Sequence, residues 1–472
     1  MAIKFGTDGW RGVIAEDFTF ANVRACAQGL ANYLKERGGH GKGLVIGYDT
    51  RFASEAFAAA AAEVAAGNGI KALLSSRAVP TPVTSYAVVH NRSAGAIVIT
   101  ASHNPPEWNG FKVKSESGAT ATPEATAELE KHVAAVTADM VKRTPLEQAR
   151  KDGLVRLEDL EPPYIQQLSR LADLETLRRA DLNVVVDSMY GAGSGYFNRL
   201  LGGGRLKLTE MHAERNPAFP GMRQPEPIAP NLGGLIAEVK RKGASVGLAT
   251  DGDADRLGIV DEDGEFLTQL QVFGLLCFYL LEVRGQRGPM VKTTTTTSMV
   301  FRLAELYGVP AYETPVGFKY VAPVMMAKDA IIGGEESGGY GFRGHIPERD
   351  GMLAGLYLLD FMVRTGRTPS ELLKRLYEKV GPHHYQRLDL TFPAEKRAQV
   401  VANLAQANPD ELQRKKVVRV DRSEGLRLFL SDGSWLFARL SGTEPVLRIY
   451  AESPSLARSA SLLQTGRDIA GV

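Results

Sequence analysis

Three short apolar runs, each breaking off in small and polar residues, recur along the chain: "AGAIVITASHNP" (94–105), "GASVGLATDGDADR" (243–256) and "DAIIGGEESGG" (329–339). Runs of this length that stop so abruptly read as buried strands. Ahead of each lies another apolar strand followed by a pattern of helical period: "GLVIGYDTR" (43–51), "LNVVVDSMYGAG" (182–193) and "PMVKTTTTTS" (289–298). The spacing predicts three divergent copies of one α/β unit, each offering a loop at the end of a strand. Open α/β sheets gather their chemistry there, and three such loops facing one another would line a central cleft.

The tail changes period. "GLRLFLSDGSWLFARLS" (425–441) alternates apolar and polar residues on both sides of Asp432 and Gly433, which predicts a hairpin. "VLRIYAES" and a helix from about Pro454 complete a smaller α+β domain. Charged, proline-punctuated stretches near 143–163, the turn at Asp261–Gly264 and "KVGPHH" (379–384) divide the chain. The expected domains are 1–150, 151–260, 261–380 and 381–472, the first three α/β.

Composition changes this picture little. A chain of 472 residues is too long for one core and should split. A formal net charge of +2 without a long basic run gives a nucleic acid or a membrane surface nothing to hold, while local clusters can still bind small anions. The start "MAIKFGTDGW" lacks the layout of a signal peptide and no apolar run reaches the length of a span, so a cytoplasmic protein is expected. Cys26 and Cys277 sit inside helical apolar patterns and read as core residues.

The candidate chemistry lies in the loops. In "TASHNP" the polar residues and Pro105 end the strand, which predicts Ser102 exposed on a tight turn; a Ser/Asn-capped turn would use the same letters. "DGDADR" sets Asp251, Asp253 and Asp255 at alternating positions, so an extended loop would aim three mutually repelling carboxylates to one side. A hard cation relieves that repulsion, Mg²⁺ or else Mn²⁺ or Ca²⁺, although a solvated acidic turn is the plainer reading. The register imitates an EF-hand loop, but Arg256 stands where its sharp turn needs glycine and the flanks read as strands. Arg256 would suit a phosphate bridging to the ion. "RLSGTEPVLR" gathers Arg439, Ser441, Gly442, Thr443 and Arg448 about a glycine turn, which describes a phosphate cradle or a simple cap. "GGEESGG" offers Glu335 and Ser337 for sugar hydroxyls; "GTDGWRG" brings Arg11 and "NGFK" brings Lys112.

These motifs, in this order, resemble the α-D-phosphohexomutase family, the phosphoglucomutases and phosphomannomutases, over nearly the whole chain. The resemblance implies four domains, a phosphoserine at Ser102, and Mg²⁺ held by Asp251, Asp253 and Asp255 against the Ser102 phosphate. It implies that the loop from Arg439 to Arg448 grips the non-reacting phosphate and that Glu335 and Ser337 hold sugar hydroxyls. Arg11, His103, Asn104, Lys112 and Arg256 match positions around the phosphoserine, with Lys112 or His103 as proton carrier, and Arg349 matches a phosphate contact. The implied reaction interconverts hexose 1-phosphate and 6-phosphate through a 1,6-bisphosphate, with glucose 1,6-bisphosphate as intermediate and activator.

"GEESGG" and Lys319 in "TPVGFKY", where some relatives carry Gly-His and a histidine, favour glucose as the sugar. Phosphomannomutase or phosphoglucosamine mutase activity is the alternative. A metal-dependent phosphatase would not need the separate cradle and sugar loop, and a non-catalytic binder would be expected to show a damaged serine or metal loop. A sugar phosphate is the expected partner, and a monomer or homodimer the working state.

Overall fold

The computed structural model describes residues 3–6, 8–440 and 446–472. Its first sheet contains β1 (Trp10–Val13), β2 (Leu44–Tyr48), β3 (Ala72–Ser75), β4 (Ala96–Ile99), β5 (Trp108–Lys114) and β6 (Val155–Glu158), in the order β1-β5-β4-β2-β3-β6. The second contains β7 (Asn183–Asp187), β8 (Lys207–Met211), β9 (Val246–Thr250), β10 (Leu257–Val260) and β11 (Phe266–Leu267), ordered β11-β10-β9-β7-β8. The third contains β12 (Met290–Thr293), β13 (Ala311–Thr314), β14 (Ile332–Gly334) and β15 (Tyr340–Phe342), ordered β13-β12-β14-β15.

One topology underlies all three. β4, β9 and β14 each lie parallel to β2, β7 or β12 on one side and antiparallel to β5, β10 or β15 on the other. Each therefore ends in a loop that must fold back on itself, and these loops are the three sequence motifs. The first sheet closes with β6 and the second with β11, a few residues past the expected divisions at 150 and 260.

The fourth sheet is antiparallel throughout: β16 (His384–Thr391), β17 (Glu411–Leu412), β18 (Lys415–Asp421), β19 (Leu426–Leu430), β20 (Trp435–Leu440) and β21 (Val446–Ser453). The hairpin through Asp432 and Gly433 joins β19 to β20, and the helix Leu456–Ala470 follows β21.

A continuous apolar core runs from Val45 and Val88 beside the first sheet, through Val184 and Leu248 of the second, to Val272 and Leu356 beyond. The other face of the second sheet packs Val185, Ala249 and Val260 against Leu235 and Val239. The helix Gly351–Thr365 is apolar on nearly every side and buried, lying against β9 and β10 of the second sheet. The fourth domain keeps a core of its own, including Leu428, Leu436, Ile449 and Leu462. Cys26 and Cys277 are both buried, as expected of core residues. No helix of the described residues is long and apolar enough to cross a membrane.

Candidate active site

Ser102 follows β4 with its backbone in the left-handed region, φ 53°. It is 1% exposed, where the sequence predicted an exposed turn. The aspartate loop of the second sheet covers it, so closely that a Cβ on Gly252 would lie 2.4 Å from the Ser102 carbonyl oxygen. The Ser102 hydroxyl donates to Asp251 Oδ2 at 2.8 Å and lies 3.2 Å from His103 Nδ1. Arg11, on β1, donates to Asn104 Oδ1.

The aspartate loop is a turn, where an extended segment was expected. The Ala254 N–H donates to the Asp251 carbonyl at 3.0 Å, and Ala254 is itself left-handed, φ 55°. This turn gathers Asp251, Asp253 and Asp255, all fully buried, with one carboxylate oxygen from each within 4.8 Å of the others. Burial and the neighbouring charges raise the pKa of Asp251 well above the usual carboxylate range. Burial also raises Asp255, whereas in Asp253 its effect is outweighed by Lys112 and by hydrogen bonds from Lys112 and Thr81, which hold that group low. Asp253 Oδ1 and Asp255 Oδ1 accept no hydrogen bond among the described residues. Buried oxygen donors left in this condition fit a hard divalent cation such as Mg²⁺.

Cations from three sheets surround the triad. Lys112, on β5, reaches Asp253 Oδ2 and Asp8 Oδ2, both at 2.8 Å, and Asp255 Oδ2 at 3.5 Å. Burial opposes its charge, but those carboxylates outweigh it and hold the ammonium above the usual lysine value. Arg256 donates through Nη1 to Glu226 Oε1 at 2.9 Å, with its Nε 3.9 Å from Asp251 and Asp255. His103 is neutral, because burial and the charges of Arg256, Arg11 and Lys112 press its pKa well below the usual histidine value.

The third loop joins through Arg349, which contacts Asp8 at 2.6 Å, Asp255 at 2.9 Å and Glu335 at 3.4 Å. Burial, only partly offset by Arg349 and Arg256, pushes the Glu335 carboxyl up to about 7. Ser337, half-buried, stands two residues along. Lys319 opens the helix Phe318–Lys328 and donates to the Gly6 carbonyl at 3.3 Å. The structure thus brings Ser102, His103, Lys112, the three aspartates, Arg256, Arg349 and Glu335 into one connected cluster.

Arg439 and Arg448 face each other across the β20–β21 register on the fourth sheet. Arg448 Nε lies 3.8 Å from Asp389, and Arg439 Nη1 has no partner among the described residues. Ser441, Gly442 and Thr443 lie outside the described residues. Glu336 ties the Glu335 loop to the fourth domain, accepting from Tyr385 at 2.8 Å and from Arg387 at 3.3 Å.

The motifs did not single out Asp8, Arg51, Glu226 or Glu348, the last of which pairs with Lys114 at 2.6 Å and with Arg349 at 3.0 Å. Arg51 had a signal, since "DTR" closes the strand beside the one carrying Ser102. Glu226 sits in a proline-rich connection with no periodicity, and Glu348 is one more charge among many.

Three equivalent sheet-end loops supply a hydroxyl, a carboxylate triad and a buried carboxylate among lysine and arginine, an arrangement suited to phosphoryl transfer. The family models for phosphoglucomutase/phosphomannomutase α/β/α domains I, II and III match residues 2–140, 162–264 and 270–380, and that for the C-terminal domain matches 395–467. The chain is 32% identical to a phosphoglucomutase/phosphomannomutase of Thermococcus kodakarensis, over 99% of this chain and 98% of that one. A protein of Thermococcus gammatolerans named as a probable phosphoglucosamine mutase is 31% identical, over 98% and 97% of the two chains. A crystal structure of a Thermus thermophilus protein described as a phosphomannomutase superposes with a TM-score of 0.87, at 35% identity and over the whole of both chains. This chain belongs to the phosphoglucomutase/phosphomannomutase family.

Proposed function

We propose that this protein interconverts glucose 1-phosphate and glucose 6-phosphate through a phosphorylated Ser102 and a glucose 1,6-bisphosphate intermediate. The observation that carries the reading is the Ser102 hydroxyl, buried and 2.8 Å from Asp251 of a triad fit for a divalent cation. Phosphoryl transfer needs positioning and charge compensation more than covalent chemistry. Mg²⁺ held by Asp251, Asp253 and Asp255 would offset charge on the transferred group.

The bond from Ser102 Oγ to phosphorus breaks as the sugar hydroxyl takes the phosphoryl group, and the hydroxyl proton passes to Oγ. His103, neutral and 3.2 Å from Oγ, suits that proton's relay, while Lys112 and Arg256 supply positive charge. Glu335 and Ser337 hold sugar hydroxyls, with Lys319 and Arg349 on their flanks. Arg439, Ser441, Gly442, Thr443 and Arg448 grip the phosphate that does not react. The bisphosphate turns in the cleft and returns its other phosphate to Ser102. A separate sugar-holding loop and a separate phosphate cradle, which a hydrolase would not need, support a mutase over a phosphatase.

Glucose, mannose and glucosamine share their C3 and C4 hydroxyls, so choice must be made at C2, where steric fit is worth roughly 10- to 200-fold. A coupled assay of the three 1-phosphates with Mg²⁺ and a trace of the matching 1,6-bisphosphate tests the reading. Glucose 1-phosphate should give the highest kcat/KM, mannose 1-phosphate a measurable second, and glucosamine 1-phosphate should fall well behind. A higher kcat/KM for glucosamine 1-phosphate would overturn the choice of sugar.

A further inference from the structure

The guanidinium of Arg51 is fully buried and spends nearly all its hydrogen-bonding capacity on one stretch of backbone. One terminal nitrogen donates to the carbonyls of Ser102 at 2.7 Å and Asn104 at 2.5 Å. The other donates to those of Pro105 at 2.8 Å and Trp108 at 3.1 Å. The guanidinium lies 5.0 Å from the ring centroid of Phe219, in the second domain, and its Nε is 3.4 Å from Asp49. Asp49 in turn accepts from the Arg51 N–H at 3.0 Å and the Ser54 hydroxyl at 2.8 Å, which fixes the fork from behind.

The Pro105 carbonyl also accepts from the Trp108 N–H at 3.1 Å, but for the Ser102, Asn104 and Trp108 carbonyls Arg51 is the donor, and burying those oxygens unpaired would be costly. Only a planar fork with several fixed donors meets four acceptors at once; an ammonium is a single point. The same turn carries Ser102 in its left-handed conformation, His103 beside the hydroxyl, and Asn104, which holds Arg11. We infer that Arg51 is the positioning residue of the phosphoryl-accepting serine, holding the 102–108 turn so that Ser102 Oγ stays aimed at the aspartate triad. This rests on the reading of Ser102 as the phosphoryl carrier. Its place against Phe219 also makes the aim of the serine depend on how the first and second domains meet.

The role predicts a defect in chemistry rather than in sugar binding. A misplacement of about 1 Å at a reacting group costs on the order of a hundredfold in rate. Arg51→Lys, which keeps the charge but not the fork, should lower kcat by roughly 30- to 100-fold while KM stays within about threefold. Single-turnover phosphorylation of Ser102 by glucose 1,6-bisphosphate, followed by intact mass, should slow by the same factor. Val45→Ala, a core change in the strand that leads to Arg51, serves as the control for lost stability and should leave kcat within about twofold. If Arg51→Lys does not accumulate as folded protein, Phe219→Leu carries the test: it leaves the guanidinium but removes the ring beside it, and kcat should fall about threefold or more.

Wild-type kcat and phosphorylation rate in Arg51→Lys, or in Phe219→Leu where that variant stands in, would overturn the inference, as would an equal loss of kcat in Val45→Ala. If the wild-type protein takes no phosphate on Ser102 from the bisphosphate, the carrier reading falls and the inference falls with it. If the wild type is phosphorylated and Arg51→Lys is phosphorylated equally fast, only the inference falls.

Discussion

Ser102 holds a backbone conformation that costs a residue with a side chain about 1 kcal/mol or more, and it is buried among charges that must be kept in register. Strain of this kind persists only where surrounding contacts over-determine it. Ser102→Ala keeps the backbone and removes the acceptor oxygen, so turnover should fall by at least about three orders of magnitude with the fold intact. Intact-mass measurement checks it: the phosphorylated fraction of the wild type should vanish in the variant. Glu335 makes a second prediction. Burial pushes its carboxyl up to about 7, and in the role proposed above the ionised form is the one that accepts from sugar hydroxyls through both oxygens. A raised carboxyl pKa means that the working form is lost as pH falls, so kcat/KM should drop below pH 7 by up to about tenfold per unit. The substrate's own phosphate titrates near 6, so Glu335→Gln separates the two: the break near 7 should disappear from its profile. A wild-type profile flat through 7 would contradict this role.

At the scale of the element, each of the three strand-end loops is what remains when a parallel strand turns back as an antiparallel one. The aspartate loop shows how much a sequence pattern tells and where it stops. Alternating aspartates after an apolar run were legible as one carboxylate cluster, and the cluster is there. Its mechanism was not, because alternation suggests an extended segment, whereas a left-handed Ala254 and a hydrogen bond to the Asp251 carbonyl do the gathering. The burial of Ser102 was hidden for a similar reason: the strand ending was readable, but its cover comes from a loop about 150 residues away in the chain, and no local pattern encodes that meeting. The β19–β20 strands and their hairpin were plain from alternation, while β16 and β18, half-exposed and rich in charge, had no clear period. Gly252 tests the contact between the two loops. A methyl group there would come within 2.4 Å of the Ser102 carbonyl and 3.2 Å of Pro225. Gly252→Ala should push the loops apart and lower kcat by about tenfold or more, with a melting temperature only a few degrees lower, as paired kinetic and thermal measurements would show.

Across the whole molecule the resemblance of the motifs implied four domains, but it did not say how the fourth is held. Glu424, in the turn between β18 and β19, reaches into the third domain and accepts from the Thr294 hydroxyl at 2.6 Å and the Val316 N–H at 3.2 Å. Val316 lies on the loop that leads to Lys319, and Glu424 on the sheet that carries Arg439 and Arg448. Arg427 adds an ion pair to Glu313 at 2.7 Å. Because the fourth domain has its own core, Glu424→Ala should leave every domain folded but loosen this joint. KM for the hexose phosphate should rise roughly fivefold, the equivalent of about 1 kcal/mol for a lost hydrogen-bonded carboxylate, with kcat within about twofold. Steady-state kinetics on the variant, with an unchanged circular dichroism spectrum, checks the prediction.

The helix Gly351–Thr365 lies against β9 and β10, strands of the second sheet, although it comes from far along the chain. On the ribosome this order becomes a delay. About ninety residues must be added after β10 before that helix can reach the sheet, roughly 5 to 20 s at ordinary elongation rates of about 5–20 residues per second. Through that interval Val184, Leu248 and Ile259 wait with part of their apolar cover still unmade. A nascent chain stalled near residue 300 should therefore be a stronger client for holding chaperones than one stalled near 400, a dependence on chain length set by where the sequence keeps its covering helix.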